Sequence, residues 1–484
     1  MTERAWFPLV ACAVICGCGD ATMTSASQGS SGGSTAPADT TGAAPTTSAS
    51  ATGSTSTEGG TMGVTGSTGA PTTSTGPATT EVATTAVATT EVATTEALTS
   101  AGPTSTTEAT TGSTGDETGT GTTGGGGCPD LGGDIEFSYI WIANSPEGTV
   151  SKIDTQTLKE VGRYRVRPQG GGEPSRTSVN LRGDVVIGSR LGGVTKIWAR
   201  AEDCKESNGQ PGIQTSKGKD DVLQWGQEEC VAWYADYNFV SERAIAWTTG
   251  TLNEQTCQFE DPKVWVGATN DAVNLKILRL DGDDGKLEGM VDIPGTQGFM
   301  TRSPYGAAVD AENDVWMVNA YCGGTLVEVH EDLSYETYTL PAQVCPYGIA
   351  VDSKGYVWIG GYQTWSGRYD PVMQKWDLVQ AQGLGIQEDA DGRLWLGAYG
   401  QNAVLEIDGD TLQVVSTTPV PTTGQSKGIG VDFFGYVWIV SDAGTTAVRM
   451  DPDTKQIQTY VGLNEPYSYS DMTGWGLKNA VIPQ

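Results

Sequence analysis

The chain has 484 residues, with 28 Lys plus Arg against 58 Asp plus Glu, one His, nine Cys, 14 Trp and 66 Gly. A formal net charge of −30 repels phosphate backbones and anionic membrane surfaces, which excludes nucleic acid as a partner, and a single imidazole excludes mechanisms that need two. Composition shifts abruptly near Cys128, dividing the chain into 1–18, 19–127 and 128–484, of which only the last reads as globular.

The first stretch is an address. Arg4 supplies a basic start, Trp6 to Ile15 is an apolar run too short to span a bilayer, and Ile15-Cys16-Gly17-Cys18 follows. This reads as a secretory signal, and the tetrapeptide resembles a bacterial lipobox, in which the thiol of the final Cys takes a diacylglyceryl group before cleavage. Cys18 is the expected lipidation site, because Cys16 would place Val14 and Ile15 immediately before the cleavage point. The protein is therefore expected to be exported and lipid-anchored to the cell envelope, at the outer membrane or cell surface.

From Gly19 to Gly127 the chain is Thr, Ser, Gly, Ala and Pro, with nine acids and no base. Such a segment cannot bury enough apolar surface to offset ordering entropy, so a disordered linker is expected. As a flexible coil it has an end-to-end distance of about 55 Å, the reach of a stalk.

The third part repeats itself. Tyr305-Gly306-Ala307-Ala308-Val309-Asp310 precedes Val315-Trp316-Met317, and Tyr347 to Asp352 precedes Val357-Trp358-Ile359. Leu384-Gly385-Ile386 with Asp389 precedes Leu394-Trp395-Leu396, and Lys427 to Asp432 precedes Val437-Trp438-Ile439. The Trp spacings of 42, 37 and 43 match the period of four-stranded propeller blades. Each unit is a short apolar strand, an Asp turn, and a second strand apolar on both faces, as face-to-face sheet packing demands.

Weaker copies extend the count. Val185-Val186-Ile187-Gly188 and Val264-Trp265-Val266-Gly267 read as second strands, and Ile140-Trp141-Ile142-Ala143-Asn144 as one that lacks its first strand. Tyr469 to Gly474 sits where the next repeat would open and is the candidate for that missing strand. The fold class expected is all-β: a seven-bladed β-propeller of four-stranded antiparallel blades, closed by pairing of the two ends. The 79 residues from Val186 to Trp265 are nearly two blades long and must hold an insertion, expected within Ala199 to Arg243.

The repeat resembles that of the streptogramin lyase-like (virginiamycin B lyase-like) propellers, over about Phe137 to Leu477. That resemblance implies a metal-assisted elimination with a histidine base. Here the one His, His330, ends a third strand on the face opposite the second-strand exits, so the family's catalytic positions do not carry over. Asp281-Gly282-Asp283-Asp284-Gly285 has Lys286 where a calcium loop needs Gly, and reads as a hairpin turn. Trp316, Trp358, Trp395 and Trp438 read as packing between blades.

Of the six cysteines from Cys128 onward, Cys322 and Cys345 flank one face at neighbouring blades and are the expected disulfide, with Cys128 tied to one of Cys204, Cys230 and Cys257. Function is expected at the mouth where second strands exit and first strands enter. The candidate ligand-binding residues there are Asn144, Arg176, Arg190, Asn319, Tyr305, Tyr347, Tyr362, Tyr399, Lys427 and Asp442, with Asn270 and Tyr321 nearby. The expected function is non-catalytic binding or interaction at the envelope, by a monomer whose partner is an envelope protein or glycan, with no cofactor and no catalytic residue. The alternatives are a structural spacer, or a lyase or hydrolase using a divalent metal, with Glu173, Asp442 and Asp471 as possible ligands.

Overall fold

The computed structural model describes Cys128 and residues 138–271, 273–296 and 304–482, all within the compact unit Thr114–Gln484. The signal segment, Cys18 and the linker lie outside the described residues. No helix among the described residues is long and apolar enough to cross a membrane.

The unit is built from antiparallel meanders. Strands β1 (Tyr139–Asn144), β2 (Thr149–Asp154) and β3 (Lys159–Arg165) form a three-stranded sheet. Then come β4 (Pro174–Val179), β5 (Val185–Ser189), β6 (Val194–Ile197) and β7 (Val231–Ala235), followed by β8 (Ser241–Trp247) and a hairpin of β9 (Thr251–Asn253) and β10 (Gln258–Glu260). Strands β11 (Lys263–Thr269), β12 (Asn274–Asp281) and β13 (Leu287–Pro294) continue the meander that β8 begins.

Four regular four-stranded sheets follow. They are β14 to β17 (Gly306–Val309, Val315–Val318, Thr325–Val329, Tyr335–Thr339) and β18 to β21 (Pro346–Val351, Val357–Gly361, Ser366–Asp370, Lys375–Val379). The other two are β22 to β25 (Gly383–Glu388, Arg393–Ala398, Ala403–Asp408, Val414–Pro419) and β26 to β29 (Ser426–Val431, Val437–Ser441, Thr446–Met450, Ile457–Val461). A short helix α1 (Trp475–Val481) ends the described chain.

The repeated Asp and Trp turn out to be one device. Asp352 accepts the backbone N–H of Lys354 (3.0 Å) and Tyr356 (2.8 Å) on Oδ1 and the indole N–H of Trp358 (2.7 Å) on Oδ2. Asp310 with Trp316, Asp389 with Trp395 and Asp432 with Trp438 make the same indole bond at 2.7 to 2.8 Å. One carboxylate thus closes the turn and fixes the rotamer of a buried indole. The indole then packs into the following sheet: Trp316 lies among Ile349, Val351 and Ile359, Trp358 among Ile386, Leu394 and Leu396, and Trp395 among Ile429, Val431 and Ile439. Trp438 lies with Ile140, Ile142 and Ile153, so the last sheet packs on the first.

The repeat's glycine has its own reason. A Cβ at Gly348 would sit 2.4 Å from the carbonyl oxygen of Leu384, and one at Gly385 2.5 Å from that of Lys427. At these two places the first strands of successive sheets meet backbone to backbone, which leaves no room for a Cβ.

Two features differ from the sequence expectation. The four-stranded meanders that start at β4 and β8 are joined into one sheet through the single pair Ser189↔Glu242, because Gly188 lets the end of β5 approach the Arg243 backbone. The extra length between Val186 and Trp265 is split in two: a long connection between β6 and β7, and the β9–β10 hairpin, which lies beyond the expected boundary at Arg243. Cys204–Cys230 staples the first of these, Cys128–Cys257 ties the start of the domain to the second, and Cys322–Cys345 is the disulfide read from sequence. Asp281 accepts the N–H groups of Asp283 and Asp284 in the β12–β13 turn, as expected of a hairpin.

The segment 466–473 lies against β1 and between β4 and β26. Tyr467 N–H donates to the Ala143 carbonyl (3.0 Å) and Trp141 N–H to the Met472 carbonyl (2.9 Å). Ser468 Oγ accepts from Ala143 N–H, Ser470 Oγ bridges both backbone groups of Thr177, and Thr473 Oγ1 donates to the Val431 carbonyl. The closing contact begins earlier than Tyr469, with Pro466 bridged to Asn144.

Candidate functional site

The hydrogen-bond register defines an inner ring of equivalent positions at the mouth. Tyr305, Tyr347, Leu384 and Lys427 each stand directly before the repeat's glycine. Arg243 holds the same place before Ala244, since Ala244 pairs with Gly267 as Gly306 pairs with Val318. Tyr467 holds it in the closing segment, because its N–H bond to Ala143 repeats that of Tyr305 to Val318. Arg176 stands one place further in, paired with Gly188 where other repeats have glycine.

These side chains converge. Tyr305, Tyr347, Leu384 and Tyr469 form a buried cluster, with Tyr362, Tyr399 and Tyr467 packed on it and partly exposed. The Tyr347 and Tyr467 hydroxyls are 2.6 Å apart. The Arg176 guanidinium lies over the Tyr469 ring at 3.0 Å and that of Arg243 over Tyr305 at 4.1 Å. Lys427 Nζ is 4.2 Å from the Tyr467 ring centre and the Arg190 guanidinium 4.6 Å from it.

Arg190 pairs with Glu173 (3.2 Å) and Lys427 with Asp442 (3.1 Å). Arg243 donates to Ser175 Oγ and the Tyr469 hydroxyl, each at 3.0 Å. Arg176, fully buried, places Nε on the Tyr305 carbonyl (2.7 Å) and Nη1 on the Ser175 carbonyl (2.9 Å), while its buried Nη2 has no partner among the described residues. Burial and the Arg243 charge push Arg176 down from the usual guanidinium value. Burial would raise the Tyr467 phenol, but Lys427, Arg243 and Arg176 pull it down to about 7. Its partner Tyr347 is driven well up by burial and by Tyr467.

The structure thus gathers Arg176, Arg190, Tyr305, Tyr347, Tyr362, Tyr399, Lys427 and Asp442 from the residues singled out by sequence. Asn144 is fully buried and serves as a latch: its amide donates to Thr149 and Ser151, and its carbonyl accepts from Asn464 N–H. Asn319 is buried on the Thr296 carbonyl, Asn270 accepts from Val240 N–H, and Tyr321 is exposed. Arg243 and Tyr467 were missed. Their signal is the place before the repeat's glycine, hidden because Ala244 replaces that glycine in one unit and the closing segment lacks it.

The metal set Glu173, Asp442 and Asp471 is not assembled. Glu173 and Asp442 each hold a cation, and Asp471 is spent on the N–H groups of Thr473, Gly474 and Leu477 at the start of α1. Among the described residues, the one group of three with metal-ligating atoms within 4.8 Å of one another is Asp314, Glu328 and His330. His330 Nδ1 lies 2.5 Å from Asp314 Oδ2, which raises its pKa, and Glu328 accepts the Tyr338 hydroxyl. This group sits where β15 begins and β16 ends, at the opposite edge from the mouth, so His330 is an ion-paired side chain remote from the tyrosine cluster.

No family model and no curated protein matches this chain. Solved structures similar to it include a streptogramin B lyase, at 17% identity over 63% of this chain and 89% of that one, with a TM-score of 0.45. A catalytically inactive virginiamycin B lyase from Staphylococcus aureus with quinupristin is similar at 15% identity, over 67% and 88%, with a TM-score of 0.44. AztD of Citrobacter koseri is similar at 12% identity, over 69% and 97%, with a TM-score of 0.43. Streptogramin lyases, the family that the repeat resembles, are thus among the chain's structural neighbours.

Proposed function

We propose that the protein is an exported, lipid-anchored binding module: a closed ring of seven four-stranded blades, carried on a flexible linker, that engages an envelope protein or glycan through its mouth. The blade count follows from taking 466–472 as the inner strand of the sheet that holds β1 to β3, and from dividing the joined sheet at Ser189↔Glu242 into two meanders. One observation carries the binding role. A ring that served only as a spacer has no use for a bank of tyrosines and cations at one mouth, including the partly exposed pair Tyr362 and Tyr399, whose rings meet edge to face at 5.0 Å.

Tyr362 and Tyr399 project beyond the fully buried cluster, so their truncation removes contact area without opening the core. Tyr362→Ala and Tyr399→Ala are expected to weaken partner capture from envelope extracts, each by about 2 kcal/mol, with little change in melting temperature. A large fall in melting temperature with unchanged capture would make them packing residues and leave the spacer reading ahead.

Anchoring in this reading rests on Cys18 alone, since the linker has no apolar run. Cys18→Ser is expected to release the protein from the membrane fraction or leave it unprocessed. Normal processing with retention in the membrane would refute the lipid anchor.

A further inference from the structure

The mouth holds four cations: Arg176 on β4, Arg190 in the turn after β5, Arg243 on β8 and Lys427 on β26. Glu173 and Asp442 pair with Arg190 and Lys427. Arg176 is left fully buried with two carbonyl contacts and an unpartnered Nη2. A guanidinium does not shed its proton in proteins, and burying one without a counter-charge is strongly unfavourable. Tyr467 stands among these cations: its ring is flanked by Lys427, Arg190 and Arg243, its hydroxyl lies 2.6 Å from that of Tyr347, and the Tyr469 ring packs 5.5 Å from it. Tyr305, Tyr347 and Tyr469 are buried, whereas Tyr362, Tyr399 and Tyr467 are partly exposed, so these three form the solvent-facing side of the cluster.

We propose that the mouth takes its ligand through an anionic oxygen group, a carboxylate or a sulfate- or phosphate-type anion, which supplies the counter-charge for the buried Arg176 guanidinium. This deepens the reading of the mouth as the binding face and rests on it. The net acidity of the chain does not oppose it, since the cations are concentrated at this one mouth.

The test uses the full chain with sodium sulfate and sodium acetate as probes, because both keep one charge state above pH 6. Titration calorimetry at pH 7 should show saturable binding of the anion, and bound anion should raise the melting temperature. Arg176→Met should abolish that binding, and Lys427→Met should weaken it about tenfold. If the Arg176 variant does not fold, binding to the unmodified chain and its weakening in Lys427→Met decide the matter. Preference for acetate over sulfate would assign a carboxylate ligand, and the reverse a phosphate- or sulfate-type group.

Absence of anion binding, or binding that Arg176→Met and Lys427→Met leave unchanged, overturns the proposal. If anions fail while Tyr362→Ala and Tyr399→Ala still impair partner capture, the mouth remains the binding face and only the anionic class falls. If both fail, the mouth itself is wrong.

Discussion

Removing residues 467–484 should abolish cooperative unfolding and drive the protein to aggregate. The deletion takes the N–H donor of Tyr467 from Ala143 and the Met472 carbonyl from Trp141, leaving the inner edge of β1 unpaired. It also removes the Ser470 bridge to Thr177 and the Thr473 bond to Val431, so the edges of β4 and β26 lose their common neighbour. An unpaired apolar strand edge is a template for pairing with another chain. Within the mouth, Arg176 loses the Tyr469 ring that covers it and Arg243 loses the Tyr469 hydroxyl, uncovering buried charge. Calorimetry and light scattering read the outcome. Native-like melting of the shortened chain would show that the closing segment is dispensable, and with it the ring.

Trp358→Ala should destabilise the fold by about 3–5 kcal/mol, the usual range for emptying a large aromatic from a core. The indole is fully buried and wedged among Ile386, Leu394 and Leu396 of the next sheet, so neither sheet can collapse into the cavity without shifting its strands. Asp352→Ala should cost less, about 1–3 kcal/mol, by leaving the indole N–H without its acceptor. The turn also loses its bonds to Lys354 and Tyr356. Because one carboxylate serves both roles, the double variant should be less destabilised than the sum of the two singles. Additive losses in chemical denaturation would mean that the Asp–Trp bond does not couple turn to core.

Much of the fold is legible because the repeat carries its reasons locally. The Asp that closes each turn sits six residues before the Trp whose N–H it accepts, so spacing alone exposes the unit. The glycine ahead of it marks where neighbouring backbones touch, and tyrosines before the glycine mark the mouth. Where the unit decays, legibility decays with it. Between Val186 and Trp265 no Asp–Trp pair punctuates the chain, so the β9–β10 hairpin and the place of Arg243 went unread.

Sequence by itself determined the all-β repeat, the buried Trp series, the Cys322–Cys345 disulfide and the remoteness of His330 from the mouth, because each depends on residues close in sequence or on strand direction. Only the tertiary structure decided which polar groups share a site. Asn144 turned inward as a latch to Asn464, Asp471 was spent on α1, and Arg176 met Tyr469 across 293 residues of chain. The reason is physical: what a charged side chain does at a ring's centre is set by its neighbours across the channel. Those neighbours come from different sheets, and no local pattern records their distances.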